Sequence, residues 1–475
     1  MIDAARLIDE GRFSAYQRQL VTAAALLIVL DGADNQLLAN AIPSMMREWD
    51  LPRPAFATAS AAAPFGMNLG GVLGGIVGDR LGRSAALLAS VTWFAALTAL
   101  IALADGLATL TAIRFLAGVG LGGAMPNAAA LTAEFVPARQ RPMAITLTIV
   151  CIPVGGVLAG LAAGAVIPAY GWRALFAAGG LVPLALALIL FKVLPESPSF
   201  LAGVRERWPE LRATLRRMGH DVSDDVAFVD PARAGSAARG SIADLFARAL
   251  RRDTLALIGA FGSCLLAIWM AFLWIPAMLT DPAVGFAQPE ASFALSMYNF
   301  GGVAGAIAGA LLIQRIGSRV ALLTISALAV VSALAMARMP LRPDAWTIVM
   351  VMFAVSGALF NAVQATMYAL AAHVFPTAIR GTGIGATVAV GRVGNVAASY
   401  VGSWALSSGG PPLYFQLWAA AMSVVFMCLA VMRRHILRPS GHQAIGPSGH
   451  QAIGPSGHQA IKRLVLLRVV SVAKW

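Results

Sequence analysis

Twelve apolar runs, each about 20 residues long, constrain this chain more than any other feature of it. They begin near Leu20, Phe56, Ser84, Leu107, Met143 and Trp172, and again near Thr254, Ala291, Val320, Ala345, Thr382 and Pro412. Coiled as a helix, a run of that length matches the hydrocarbon thickness of a bilayer. The runs are too long for strands and do not alternate, so the expected fold is all-α and integral to a membrane. Composition agrees: 59% of the residues are hydrophobic, 12% are charged and the mean hydropathy is +0.76. Soluble domains carry about 25% charged residues, and a water-facing surface cannot be built from half that supply.

The net charge is +13, which by magnitude alone would suit nucleic acid. Its placement argues against that partner. Arg80 and Arg83, Arg139 and Arg141, Arg315 and Arg319, Arg380, and Arg433 and Arg434 sit in every second connection between runs. The longest connection adds Arg205, Arg207, Arg212, Arg216, Arg217, Arg248, Arg251 and Arg252. The alternate connections, near Asp281 and near Gly409, lack Lys and Arg, although Arg47, Arg53, Arg338 and Arg342 fall on that side. This is the positive-inside pattern, and it places both termini in the cytoplasm. The polar segment before the first run has no small-residue cleavage site, so a retained first span is expected.

The order of the runs divides the chain into a cytoplasmic segment (1–18), a six-helix half (19–194), a cytoplasmic loop (195–253), a second six-helix half (254–432) and a tail (433–475). The Arg-rich stretch Arg205 to Arg217 reads either as an amphipathic helix on the membrane surface or as a solvated linker. The halves repeat. Gly78-Asp79-Arg80-Leu81-Gly82-Arg83 after the second run returns as Ile313-Gln314-Arg315-Ile316-Gly317-Ser318 after the eighth. Glu134-Phe135-Val136-Pro137 returns as His373-Val374-Phe375-Pro376. Two parallel six-helix repeats imply a central cleft with a site near the bilayer midplane. In the tail, an eight-residue unit carries His442, His450 and His458; its Pro and Gly form no fixed metal cage, so a tandem low-complexity duplication is expected. Cys151, Cys264 and Cys428 lie inside apolar runs and read as packing residues.

Within the runs, charge is rare and therefore informative. Asp31 and Asp34, with Asn35 beside them, lie well inside the first run. An ionised carboxylate at the bilayer centre costs about 2.5–3.5 kcal/mol on insertion scales. At i and i+3 the two acids share a helix face, which must look into the bundle or a water-filled cleft. They read as a proton or cation site or as solute hydrogen-bonding groups, against a structural contact with a neighbouring helix. Arg114 opens the fourth run and Glu134 closes it; Arg392 lies in the eleventh. By the repeat, Arg114 matches Phe353 and Arg392 matches Pro153, so neither arginine has a symmetric twin, which suits a solute-binding charge better than a structural one in both cases. A guanidinium is a good bidentate partner for a carboxylate. Arg392 therefore reads as a site for an anionic solute or as the ion-pair partner of Asp31 or Asp34. Asp79, Arg80, Gly82 and Arg83 belong at the inner mouth, where Asp79 can latch onto Arg139 or onto the start of the eleventh span at Arg380.

These stretches resemble a known family. Gly75-x-x-x-Asp79-Arg80-x-Gly82-Arg83 is similar to the signature loop of the major facilitator superfamily, and Pro195-Glu196-Ser197-Pro198 also fits. Asp31-Gly32-x-Asp34, Arg114-Phe115-Leu116-x-Gly118 with Gly120 to Asn127 and Glu134, and Arg380-Gly381-Thr382-Gly383 with Gly391-Arg392-x-Gly394 resemble the aromatic acid:proton symporters. The resemblance runs from Ile2 to about Arg434. It implies twelve transmembrane helices in two pseudo-symmetric halves of a cell-membrane carrier, the inner membrane in a bacterium. It also implies proton-coupled uptake of an aromatic carboxylate, with no cofactor beyond the proton gradient and no catalytic chemistry. The carrier is expected to act as a monomer. The resemblance carries proton coupling to Asp31, Asp34 and Glu134, and solute binding to Arg392. A sugar or polyol porter is the nearest alternative, with Gln364 and Asn361 in the tenth span as its carboxamides. A drug effluxer is the next, although Pro153-Val154-Gly155-Gly156 departs from the antiporter order.

Overall fold

A computed structural model of the chain describes residues 2–223, 225–229, 242–376 and 379–436. The repeated tail with its three His, and Thr377, lie outside these residues, as does the side chain of Arg380. The described residues are almost entirely helical. A short α1 (Ala4–Glu10) precedes α2 (Ala15–Trp49), α3 (Phe56–Leu81), α4 (Arg83–Ile101), α5 (Leu107–Phe135) and α6 (Arg141–Leu190). The loop holds α7 (Pro198–Gly203) and α8 (Trp208–Arg217). The second half is α9 (Arg251–Leu279), α10 (Gln288–Ile316), α11 (Ser318–Arg338), α12 (Trp346–Val374), α13 (Arg380–Gly391) and α14 (Val393–Val431).

Among the described residues, ten helical stretches are long and apolar enough to cross a membrane. Two of them are each two crossings. At about 1.5 Å per residue, α6 would be roughly twice the length a bilayer needs. It breaks at Gly171 (φ 78°), and α14 breaks at Gly410 (φ 63°). Span 5 therefore ends near Tyr170, span 12 begins after Gly410, and twelve crossings result.

The halves carry their repeat in the backbone as well as in the sequence. Gly82 closes α3 with φ 106°, and Gly317 closes α10 with φ 81°. These are conformations that a side chain disfavours, and each lets the next helix start without a loop. Close helix pairing follows the same repeat. Gly70 of α3 sits against the Val119 backbone of α5, and Gly305 of α10 sits against Ala358 of α12. In lipid, such small-residue contacts bring backbones together where no hydrophobic force does so.

Between the halves, α6 packs on α10, α3 on α14 and α2 on α9. Among the described residues, the hydrogen bonds and ion pairs between the halves all lie toward one end, the end away from α1. Gln36 Nε2 donates to Asn299 Oδ1 at 2.9 Å, and Asn299 Nδ2 returns a bond to Gln36 Oε1 at 2.7 Å. Gln288 donates to the Asn40 carbonyl at 2.8 Å, and Ser296 Oγ to the Val157 carbonyl at 3.0 Å. Arg53 pairs with Asp281 at 2.5 Å and also reaches the Ala277 carbonyl. Arg53, out of place by the charge rule, is thus buried against an acid of the other half.

The loop differs from both sequence readings. α8 is amphipathic, but its apolar face is covered by protein: Leu211 and Leu215 pack with Ala4 and Ile8 of α1, Leu201 of α7 and Phe228. Burying that face against the protein leaves little of it for a membrane surface.

Candidate functional site

The α2 acids have different surroundings. Asp34 is 1% exposed, accepts from Thr98 Oγ1 at 2.5 Å and pairs with Arg114 Nη1 at 3.4 Å. Arg114, 2% exposed, comes from α5, so this ion pair ties two helices of one half together. Among the described residues, Asp31, 2% exposed, has no cation within ion-pair distance, and its Oδ1 is buried without a hydrogen-bond partner. Asn35 turns back to the Asp31 carbonyl at 2.8 Å and offers nothing to its carboxyl. Two acids and one base are thus buried together, and only one acid is matched. The uncompensated one is Asp31.

Arg392 stands at the junction of α13 and α14, half-buried. Among the described residues it makes no hydrogen bond or ion pair, and neither α2 acid is within reach. Its Nη1 lies 3.1 Å from where a Cβ on Gly71 of α3 would stand, so it occupies the seam between the halves. Tyr368 of α12 is near enough to feel its charge, and that ring packs edge-on against Phe261 of α9 at 5.1 Å. Of the two readings of Arg392, the ion pair with Asp31 or Asp34 is not formed. Arg114 takes that part instead, with a fixed partner where a solute contact was expected.

Other residues singled out from sequence are placed elsewhere. Glu134 is at the terminal end of α5, where Ser197 Oγ and the Ser199 N–H donate to it and Arg83 lies 3.9 Å away. Asp79 pairs with Arg83 at 2.5 Å inside its own loop. Arg80 and Arg139 are exposed, and Arg139 does not meet Asp79. Gly82 lies against the Glu196 carboxylate, which accepts from the Ser84 and Ala85 N–H groups and caps α4. Asn361 is buried and donates to the Gly357 carbonyl of its own helix at 2.9 Å, while Gln364 is half-buried.

Sequence reasoning passed over Thr98 and the Gln36–Asn299 pair, and met Glu196 only as part of the Pro195 to Pro198 stretch. Amide side chains inside two apolar runs were the available signal for that pair. Gly156 makes room for it, because a Cβ there would collide with both amides.

A two-half bundle of twelve helices with unmatched charges in its interior defines a membrane solute carrier, and the comparisons agree. The chain belongs to the sugar (and other) transporter family, whose model matches residues 50–434, within the major facilitator superfamily. It is 31% identical over 430 residues to the gallate transporter of Pseudomonas putida, covering 89% of this chain and 94% of that one. It is 29% identical to the 4-hydroxybenzoate transporter PcaK of the same organism, covering 86% and 90%. In fold it is similar to the xylose transporter XylE from E. coli in a partially occluded inward-open conformation. The TM-score is 0.67 at 16% identity, over 89% of this chain and 99% of that one.

Proposed function

We propose that this chain is a secondary active transporter that takes up an aromatic or related organic carboxylate with protons, by alternating access. Its place would be the cell membrane, the inner membrane in a bacterium, with both termini cytoplasmic and a monomer as the working unit. The observation that carries the reading is the pair of unmatched interior charges, Asp31 and Arg392, beside the satisfied Asp34–Arg114 pair. The gallate and 4-hydroxybenzoate transporters to which it is similar supply the substrate class.

In this mechanism the outer side opens first, and a monoanion reaches Arg392, whose fork suits a carboxylate. A proton on Asp31 removes the cost of carrying a bare acid through an occluded, low-dielectric state. One proton with one monoanion moves no net charge, and each additional proton would gain about 2.3 kcal/mol per 100 mV. Asp34 and Arg114 hold α2 to α5 while the halves rock. Glu134, held by Ser197 and Ser199, serves the inner-end network in place of the proton path. With the termini cytoplasmic, the bonds between the halves at the far end support a conformation shut toward the outside.

The test is uptake into proteoliposomes of labelled gallate, 4-hydroxybenzoate and xylose, with and without an inward proton gradient. Gradient-driven accumulation of an aromatic acid supports the proposal. Accumulation of xylose alone would replace it with a sugar porter.

A further inference from the structure

Away from the solute pathway, at the end of the second half that carries the last helix, lies a cavity of about 510 Å³. Arg319 of α11, His373 of α12, and Arg433, Arg434 and His435 after α14 line it, with Val320 at its edge. No acid is in the lining. Among the described residues, Arg319, His373 and the Arg433 guanidinium have no hydrogen-bond or ion-pair partner. Arg434 spends one bond, at 3.2 Å, on the Val374 carbonyl.

The segment is built to hold this arrangement. The Arg433 N–H is anchored to Asp253 at 2.9 Å. The Ser318 N–H donates to the Ile436 carbonyl at 2.9 Å, and the Ile436 N–H to Ser318 Oγ at 2.7 Å. These bonds fold the chain back over the start of α11 and fix His435 inside. His435 Nδ1 lies 3.4 Å from the Ser318 hydroxyl, and its Nε2 is buried without a partner. Five basic side chains gathered at one surface, with the nearby Asp253 carboxylate engaged by the Arg433 N–H, call for an anion.

We propose that this cavity binds a phosphate group, most directly that of an anionic phospholipid. The cavity lies where helices end, at the level of headgroups, and Val320 beside it is 56% exposed and faces lipid in this fold. A phosphodiester there would meet Arg319 and Arg433 while its acyl chains follow α11. A free phosphate has the same headgroup chemistry without the chains.

The experiment uses the full chain. Purified protein is equilibrated with phosphatidylcholine vesicles containing phosphatidylglycerol, and retained lipid is quantified by mass spectrometry. In a second arm, protein in phosphatidylcholine alone is titrated with inorganic phosphate by calorimetry. Preferential retention of phosphatidylglycerol without phosphate binding identifies the lipid. Phosphate binding identifies the free ion at the same site. Either signal should fall about five-fold for each arginine lost and roughly 25-fold in the Arg319→Gln/Arg433→Gln pair. Arg12→Gln, exposed on the same end, should change nothing. A parent protein that prefers neither ligand overturns the proposal without recourse to any variant. So does undiminished binding in the paired variant, or an equal loss in Arg12→Gln.

Discussion

Asp34 and Arg114 form a buried ion pair at 3.4 Å, while Asp31, one turn earlier on the same helix face, has no cation. Two acids that look equivalent in sequence are therefore expected to fail differently. Asp31→Asn fixes the neutral form of the unmatched acid, so pH-driven accumulation should collapse while solute exchange survives. Asp34→Asn instead leaves Arg114 buried and unpaired, a loss of about 3–5 kcal/mol. Its membrane abundance should fall, and Asp34→Asn with Arg114→Gln should recover part of it. Uptake, exchange and abundance measured together decide the assignment. Normal accumulation in Asp31→Asn would remove it from the proton path.

Arg392→Lys keeps the charge and loses the fork. The KM for the carboxylate should rise by about ten-fold or more, with the protein inserted normally, since each lost charge-assisted bond is worth about 1.5–3 kcal/mol. The measurement is initial uptake against solute concentration. An unchanged KM would place the carboxylate elsewhere.

The Arg53–Asp281 pair predicts a pH dependence of the outer closure. Burial tends to raise the Asp281 carboxyl, but the Ala283 N–H and Arg53 outweigh it, so it sits below the ordinary carboxylate range. Its contribution to the closed state is complete above that ordinary range and is lost as outside pH falls through the lowered value. Spin labels at Pro54→Cys and Pro282→Cys should report a longer separation in strong acid. Asp281→Asn should show that longer separation already at neutral pH. Identical distances at both pH values would leave the pair without a gating role.

Gly156→Ala tests the amide pair. The added methyl meets both Gln36 and Asn299, so either the pair breaks or α6 moves off α10. About 1–3 kcal/mol should be lost from the outward-closed state. The same labels should then show a larger open population. Gln36→Leu, which takes the donor from Asn299 Oδ1, should shift it in the same direction.

The number of crossings and their division into halves follow from sequence alone, as does the expectation of cytoplasmic termini. Run length against bilayer thickness, and the charge bias of short connections, are local properties of the chain. The turns at Gly82 and Gly317 were legible for the same reason, since the two loops repeat. That Asp31, Asp34, Arg114 and Arg392 are costly inside lipid was also legible. Which of them answer one another was not. Asp34 meets Arg114 across two helices far apart in the chain, while Asp31, one turn earlier, has no ion-pair partner among the described residues. The amide pair between Gln36 and Asn299, and the basic cavity over α11, likewise depend on how helices separated by hundreds of residues are set against each other. Hydropathy and spacing specify that a polar group inside a membrane needs a partner. Only the packing of the helices decides which partner it gets, and which groups are left to find theirs in a solute, a proton or a lipid.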